Sequence, residues 1–126
     1  MIKTQNSKQY DLEERTYRFA QNCKEFIRQL PKTVSNLEYV KQLVRSSSSP
    51  AANYIEANES LSKKDFYHRV RICRKESKES RLWLKLIDIN NHQILNDLRQ
   101  KLIQETIELT KIFGAILEKA KSKNVY

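Results

Sequence analysis

The chain has 126 residues, enough for one domain with one core. One Gly and two Pro, beside 39% hydrophobic and 31% charged residues, exclude a turn-rich sheet protein and a disordered one, and favour long amphipathic helices. The 24 Lys and Arg against 15 Asp and Glu, net +9, suit a polyanionic partner (nucleic acid, an anionic membrane surface or an acidic protein), or else a basic protein without one.

Residues 1–10 are polar and read as a flexible tail without the apolar core of a signal peptide. No apolar run approaches the roughly 20 residues of a membrane span, so the expected address is the cytoplasm, with no membrane partner. Asp11 with Glu14 reads as a capping box. Leu12, Thr16, Phe19, Cys23, Phe26 and Leu30 then recur at helical spacing, and Pro31 disfavours helical geometry at Leu30. The first helix is therefore predicted over about 11–30.

Ser35 or Asn36 can cap the second helix, whose inward face reads Leu37, Val40, Val44, Ser47 or Ser48, Ala51 and Ile55. Within it, RSSSSP at 45–50 has the composition of a linker. Length argues otherwise. A break there leaves two stubs of roughly 15 Å, whereas one helix over 36–60 spans about 37 Å, comparable to about 39 Å for 63–88 and about 42 Å for 94–121. One helix kinked near Pro50 is the economical reading; the rival is Ser49 capping a separate helix that starts at Pro50.

Ser62 with Asp65 marks the next start. Phe66, Val70, Cys73, Ser77, Ser80, Leu84 and Ile87 follow the 4-3 spacing of a bundle seam over 63–88, broadened by Ile72, Trp83 and Leu86. DINNHQ at 88–93 is the last turn. The fourth helix, 94–121, carries Leu95, Leu98, Leu102, Leu109, Ile112 and Ile116, interrupted by Glu105. A second stripe holds Ile94, Ile103, Ile107, Phe113 and Leu117. The doubled face is either a wide core face or an oligomer interface through Ile103, Ile107, Phe113 and Leu117. Gly114 inside this helix means a close helix approach or local weakness, and residues 122–126 read as a tail. The sum is an all-α, antiparallel up-down four-helix bundle.

The segments DLEERTYRFA, LPKT, QLVRSSSSPAANYIEA and SKKDFYHRVRICRKESKESRLWLKLI resemble the four-helix bundle family that includes proteins encoded by intervening sequences in large-subunit ribosomal RNA genes. Accessory proteins of diversity-generating retroelements are more distant relatives. The resemblance covers roughly residues 10–118. It is most specific at Arg45-Ser46 with Ser49, Ala52-Asn53 with Glu56-Ala57, Lys75-Glu76 with Glu79, and Trp83-Leu84. It implies a ring-shaped homo-oligomer, typically a pentamer, and no catalysis. In the retroelement branch it implies a basic barrel that binds nucleic acid and a reverse transcriptase. The chain departs from the family pattern at Pro50 and at Ala51, where many members carry Gly, which bears on the straightness of the second helix.

The chemistry-bearing residues are mostly basic. Segment 63–85 holds nine cations against Asp65, Glu76 and Glu79, nine minus three giving +6. Arg71, Arg74, Lys78, Arg81 and Lys85 share one helix face, and Lys63 and Lys64 precede them. Such a face can follow a phosphate backbone of RNA or DNA with low sequence specificity; a solvated face without ligand is the alternative. Arg45, Asn53, Glu56, Glu76 and Glu79 read as a structural polar network, or less simply as a ligand site. His68 and His92 stand in no Glu-x-x-His, the cysteines Cys23 and Cys73 are core thiols, and one glycine cannot build a phosphate loop. No catalytic set, metal or cofactor is expected. The alternative to a nucleic-acid scaffold is a module that recruits an acidic protein or enzyme.

Overall fold

The computed structural model describes residues 11–122. The tails expected over 1–10 and 123–126 lie outside the described residues, and Ser122 still belongs to the last helix. Four helices follow in order: α1 Leu12–Arg28, α2 Val34–Asn58, α3 Lys63–Leu86 and α4 Gln93–Ser122. Each packs on its two neighbours around the bundle, and the α1–α4 seam is the sparsest. Across the core, the Tyr54 ring of α2 meets Phe113 of α4 at 5.9 Å. None of these helices is long and apolar enough to cross a membrane.

Helix starts follow local chemistry. Asp11 precedes α1 but makes no side-chain capping bond, so the box expected with Glu14 is not formed; Glu14 instead pairs with Arg18 at 2.8 Å. Thr33, not Ser35 or Asn36, caps α2 by accepting from the Asn36 N–H at 3.1 Å. Asn36 is buried for another task. Its Nδ2 donates to the Pro31 and Asp88 carbonyls, and its Oδ1 accepts from the Asp88 N–H at 2.9 Å. One side chain thus ties the α1–α2 turn to the α3–α4 turn. Ser62 caps α3 as expected, accepting from Asp65 N–H. Before α4, Asn90 and Asn91 take left-handed φ of 52° and 59°, closing a turn that Asn tolerates well.

The α1 stripe lies inside as read, Leu12, Thr16, Phe19, Cys23, Phe26 and Leu30 all buried. In α3, Val70, Cys73, Ser77, Ser80 and Leu84 line the core, with Ile87 just after the helix and Phe66 half-buried. α2 agrees with the reading in its continuity and corrects it in its register. It runs unbroken through Ser46–Ser49 and Pro50, which rules out a separate helix capped by Ser49. Its inward face is Asn36, Leu43, Ser46, Ser47, Pro50, Tyr54 and Ala57, one register away from the expected stripe. Leu37, Val44 and Ile55 are consequently about half exposed, at 52%, 51% and 49%.

The serines explain the register. Ser80 Oγ lies 2.9 Å from Ser46 Oγ across the α2–α3 seam and 3.0 Å from the Glu76 carbonyl, and Ser77 donates to the Cys73 carbonyl within α3. Small hydroxyls facing one another let these two helices lie close while every buried O–H finds an acceptor. Cys73 Sγ reaches the Pro50 carbonyl at 3.4 Å. Ser48 bonds the Val44 and Arg45 carbonyls, and Asn53 bonds that of Ser49.

In α4 the core stripe is Leu95, Leu102, Thr106, Leu109, Phe113, Leu117 and Ala120. Phe113 is fully buried and Leu117 nearly so, so neither can serve the oligomer interface assigned to them; Ile103 and Ile107 stay half-buried. Thr106, unmarked by hydropathy, completes the seam that draws Phe113 inward. Glu105 interrupts the apolar stripe because it receives Arg15 of α1 in a two-pronged pair at 2.7 and 2.9 Å, with Glu108 at 2.8 Å beside it. The Gln104 amide, followed by Arg15, holds the Glu108 carboxyl below its usual range. This cluster clamps the sparsest seam.

Candidate nucleic-acid interface

Helix α3 has two flanks. Its core edge runs through Val70, Cys73, Ser77, Ser80 and Leu84. At 100° per residue, Arg69, Glu76, Glu79 and Trp83 fall on one side of that edge, and Arg71, Arg74, Lys78, Arg81 and Lys85 on the other.

The first flank faces α2. Arg45 Nη1 sits 3.1 Å from both Glu76 carboxylate oxygens, and its Nη2 donates to Glu79 at 2.9 Å. The Glu79 hydrogen bond and the Glu76 charge raise the Arg45 pKa above its ordinary value. Arg69 donates to Asn53 Oδ1 at 3.0 Å, and Asn53 in turn donates to Ser49. Trp83 stacks on Tyr39 with centroids 6.1 Å apart. Three of the five residues expected in a polar network, Arg45, Glu76 and Glu79, are thus brought together, and Asn53 joins a separate group with Arg69 and Ser49 on the same seam. Glu56 joins neither: its side chain is exposed and makes no hydrogen bond or ion pair among the described residues, while its carbonyl accepts from Ser60. Arg69 belongs to this seam and was missed, whereas Ser80, already placed on the core stripe by its spacing, also bonds across it. Arg69 lies at i−7 from Glu76, a spacing that could have placed it on the α2 side.

The second flank borders α4. Arg71, Arg74, Lys78, Arg81 and Lys85 are all exposed. Arg71 is engaged within the protein. Lys63 and Lys64 open the same helix, exposed, about 12 Å before Arg71 along the axis. A shallow concavity of about 510 Å³ beside the row is lined by His68, Arg71, Ile72, Arg74, Lys75 and Lys78. On the α4 side, a Cβ at Gly114 would meet the Arg74 Nε at 3.9 Å, an ordinary contact. Gly114 therefore marks local weakness and not a close approach of two backbones.

The charge is concentrated on this helix. Residues 12–58 carry seven cations and five anions, +2, against the +6 of 63–85. Both α3 glutamates on the first flank turn toward Arg45 and pair with it, which leaves the second flank as a row of cations without an acid between them. Such a row can hold a chain of phosphates by charge and hydrogen bonding, and it offers no base-reading geometry. Among the described residues, no three His, Cys, Asp or Glu side chains converge as a metal site would require.

The 23S rRNA-intervening sequence protein family matches residues 8–115. No curated protein matches the chain significantly. Among solved structures, the chain is similar to a protein of unknown function from the S23 ribosomal protein family of Bacteroides thetaiotaomicron. That likeness has 26% identity and a TM-score of 0.72, over 83% of this chain and 96% of the other. With the family match spanning most of the bundle, including all of α1, α2 and α3, the chain belongs to the 23S rRNA-intervening sequence protein family.

Proposed function

We propose that this protein is a non-catalytic, homo-oligomeric scaffold of the cytoplasm that binds RNA or DNA through the α4-side flank of α3. The observation that carries the reading is the row Arg71, Arg74, Lys78, Arg81 and Lys85, exposed on one helix with its neighbouring glutamates paired elsewhere. The family description, which ties its members to sequences intervening in 23S rRNA, makes RNA the first polyanion to test. Binding by phosphate contact predicts little sequence preference and steep salt dependence.

The oligomer, a pentamer by resemblance, needs an apolar seam. Phe113 and Leu117 are spent on the core, so the seam moves to the outward residues Leu37, Val44 and Ile55 of α2, with Tyr17 of α1 at the edge of the α1–α2 groove. Ile103 and Ile107 remain a second contact. Light scattering on Val44→Asp and Ile55→Asp should report a smaller particle than the wild type; a wild-type monomer at high concentration sinks the oligomer.

A second reading has its own support. Leu82 and Leu86 are nearly half exposed beside Lys78, Arg81 and Lys85, a mixed surface suited to an acidic protein, a reverse transcriptase included. Fluorescence anisotropy with generic RNA and DNA over a salt series separates the two. Micromolar or tighter binding at low salt supports the scaffold. No binding at low salt, together with nuclease-resistant recovery of one protein partner, favours recruitment.

A further inference from the structure

We infer that the polyanion fitted by the α3 row is a double helix, gripped along its phosphate ridge, in preference to a single strand; this rests on the nucleic-acid reading above. The row runs from Arg71 to Lys85, about 21 Å along the axis, in steps of about 4.5 and 6 Å. Segment 63–86 contains no Gly and no Pro, and Val70, Cys73, Ser77, Ser80 and Leu84 pin it to the core. The cations are therefore carried on one continuous helix face anchored to the core. A single strand must straighten to meet it and lose conformational freedom. A duplex is already straight, and it presents about one charge per 1.7 Å of axis, twice the density of one strand.

Single-strand binding usually recovers its ordering cost by stacking bases on aromatic rings. The aromatic rings of α3 are committed elsewhere. Trp83 stacks on Tyr39 on the opposite flank, with its indole nitrogen buried. Phe66 and Tyr67 pack edge-on at 5.2 Å, both half-buried against the core. The outward neighbours of the row are Lys75, Leu82, Leu86 and the exposed imidazole of His68. Beside Arg74, Gly114 raises no side chain from α4. The surface is thus built for charge at fixed spacing and poor in stacking area.

The test compares a duplex and an unstructured single strand of equal length, about 20 nucleotides or base pairs, in RNA and DNA, over about 50–200 mM salt. The expected result is duplex binding about tenfold tighter or more at the low-salt end, with the steeper salt slope. Lys78→Glu with Arg81→Glu should remove the preference while the melting curve stays unchanged. Single strand bound as tightly as duplex, or tighter, overturns this inference and leaves nucleic-acid binding standing. No binding to either overturns both. Polyglutamate of matched charge binding as tightly as duplex also overturns it, because charge alone would then suffice.

Discussion

The two flanks of α3 carry similar residues in opposite circumstances. On the α2 side, Arg69, Glu76 and Glu79 each have a partner, and the charges cancel locally. On the α4 side, beyond an Arg71 already engaged within the protein, the exposed cations Arg74, Lys78, Arg81 and Lys85 follow one another without an intervening acid. A charge tally over the helix counts Glu76 and Glu79 against Arg74 and Lys78, although the acids answer to Arg45 on another helix. Partners, not sums, decide where a field reaches solvent.

The strongest way to break that contrast is charge reversal. Arg74→Glu, Lys78→Glu and Arg81→Glu together should lower affinity for duplex RNA at least about 100-fold at low salt, with Tm nearly unchanged. The same number of reversals at Arg18, Lys24 and Arg28 of α1 should leave affinity within about threefold by anisotropy.

Cys73 and Arg74 sharpen the contrast within one turn, since consecutive residues face core and solvent. Burial pushes both thiols, Cys23 and Cys73, from an ordinary 9.0 up to about 12. The unfolded chain then releases these protons first as pH rises, so the thiols leave stability unaffected below about pH 9 and lower it from there toward 12. By half a unit above 9 the loss should be roughly 1 kcal/mol per thiol, read by urea unfolding against a double Cys→Ala variant.

Arg45→Ala tests the neutralised flank. It strands Glu76, only 7% exposed, without its cationic partner. Since Arg45 itself is half exposed, the cost should be about 1–2 kcal/mol in urea unfolding, below the range for a fully buried pair. RNA affinity should change less than about twofold. The smallest effect concerns Gly114→Ala. The added methyl meets Arg74 at ordinary contact distance, so the gain in helix propensity should stabilise by about 0.5–1 kcal/mol without altering binding. Destabilisation there would mean that the methyl finds no room between α3 and α4.

How far the sequence reaches depends on what fills each core face. α1 and α3 are legible because Leu12, Phe19, Phe26, Val70 and Leu84 mark their stripes, and the serines of α3 fall on the same 4-3 spacing. α2 is read one register out because its inward face is serine, proline and asparagine, which hydropathy does not mark, while Leu37, Val44 and Ile55 mark the outer one. The signal that could have corrected it was Ser77 and Ser80 on the facing helix. A seam narrowed to small residues on one side needs small residues on the other. Thr106 hid the α4 seam in the same way. At the candidate site, helical spacing alone placed the five cations on one exposed face. That Glu76 and Glu79 look away from it depends on Arg45, a contact over 31 and 34 positions that no local pattern contains.

The most direct test is the salt dependence of duplex RNA binding by the wild type and by Lys78→Ala with Arg81→Ala. A phosphate-gripping α3 row should give a slope of log K against log salt of about −4 for the wild type, reduced in magnitude by about 2 in the variant. A flat wild-type slope, or one that the two substitutions leave unchanged, would contradict that role.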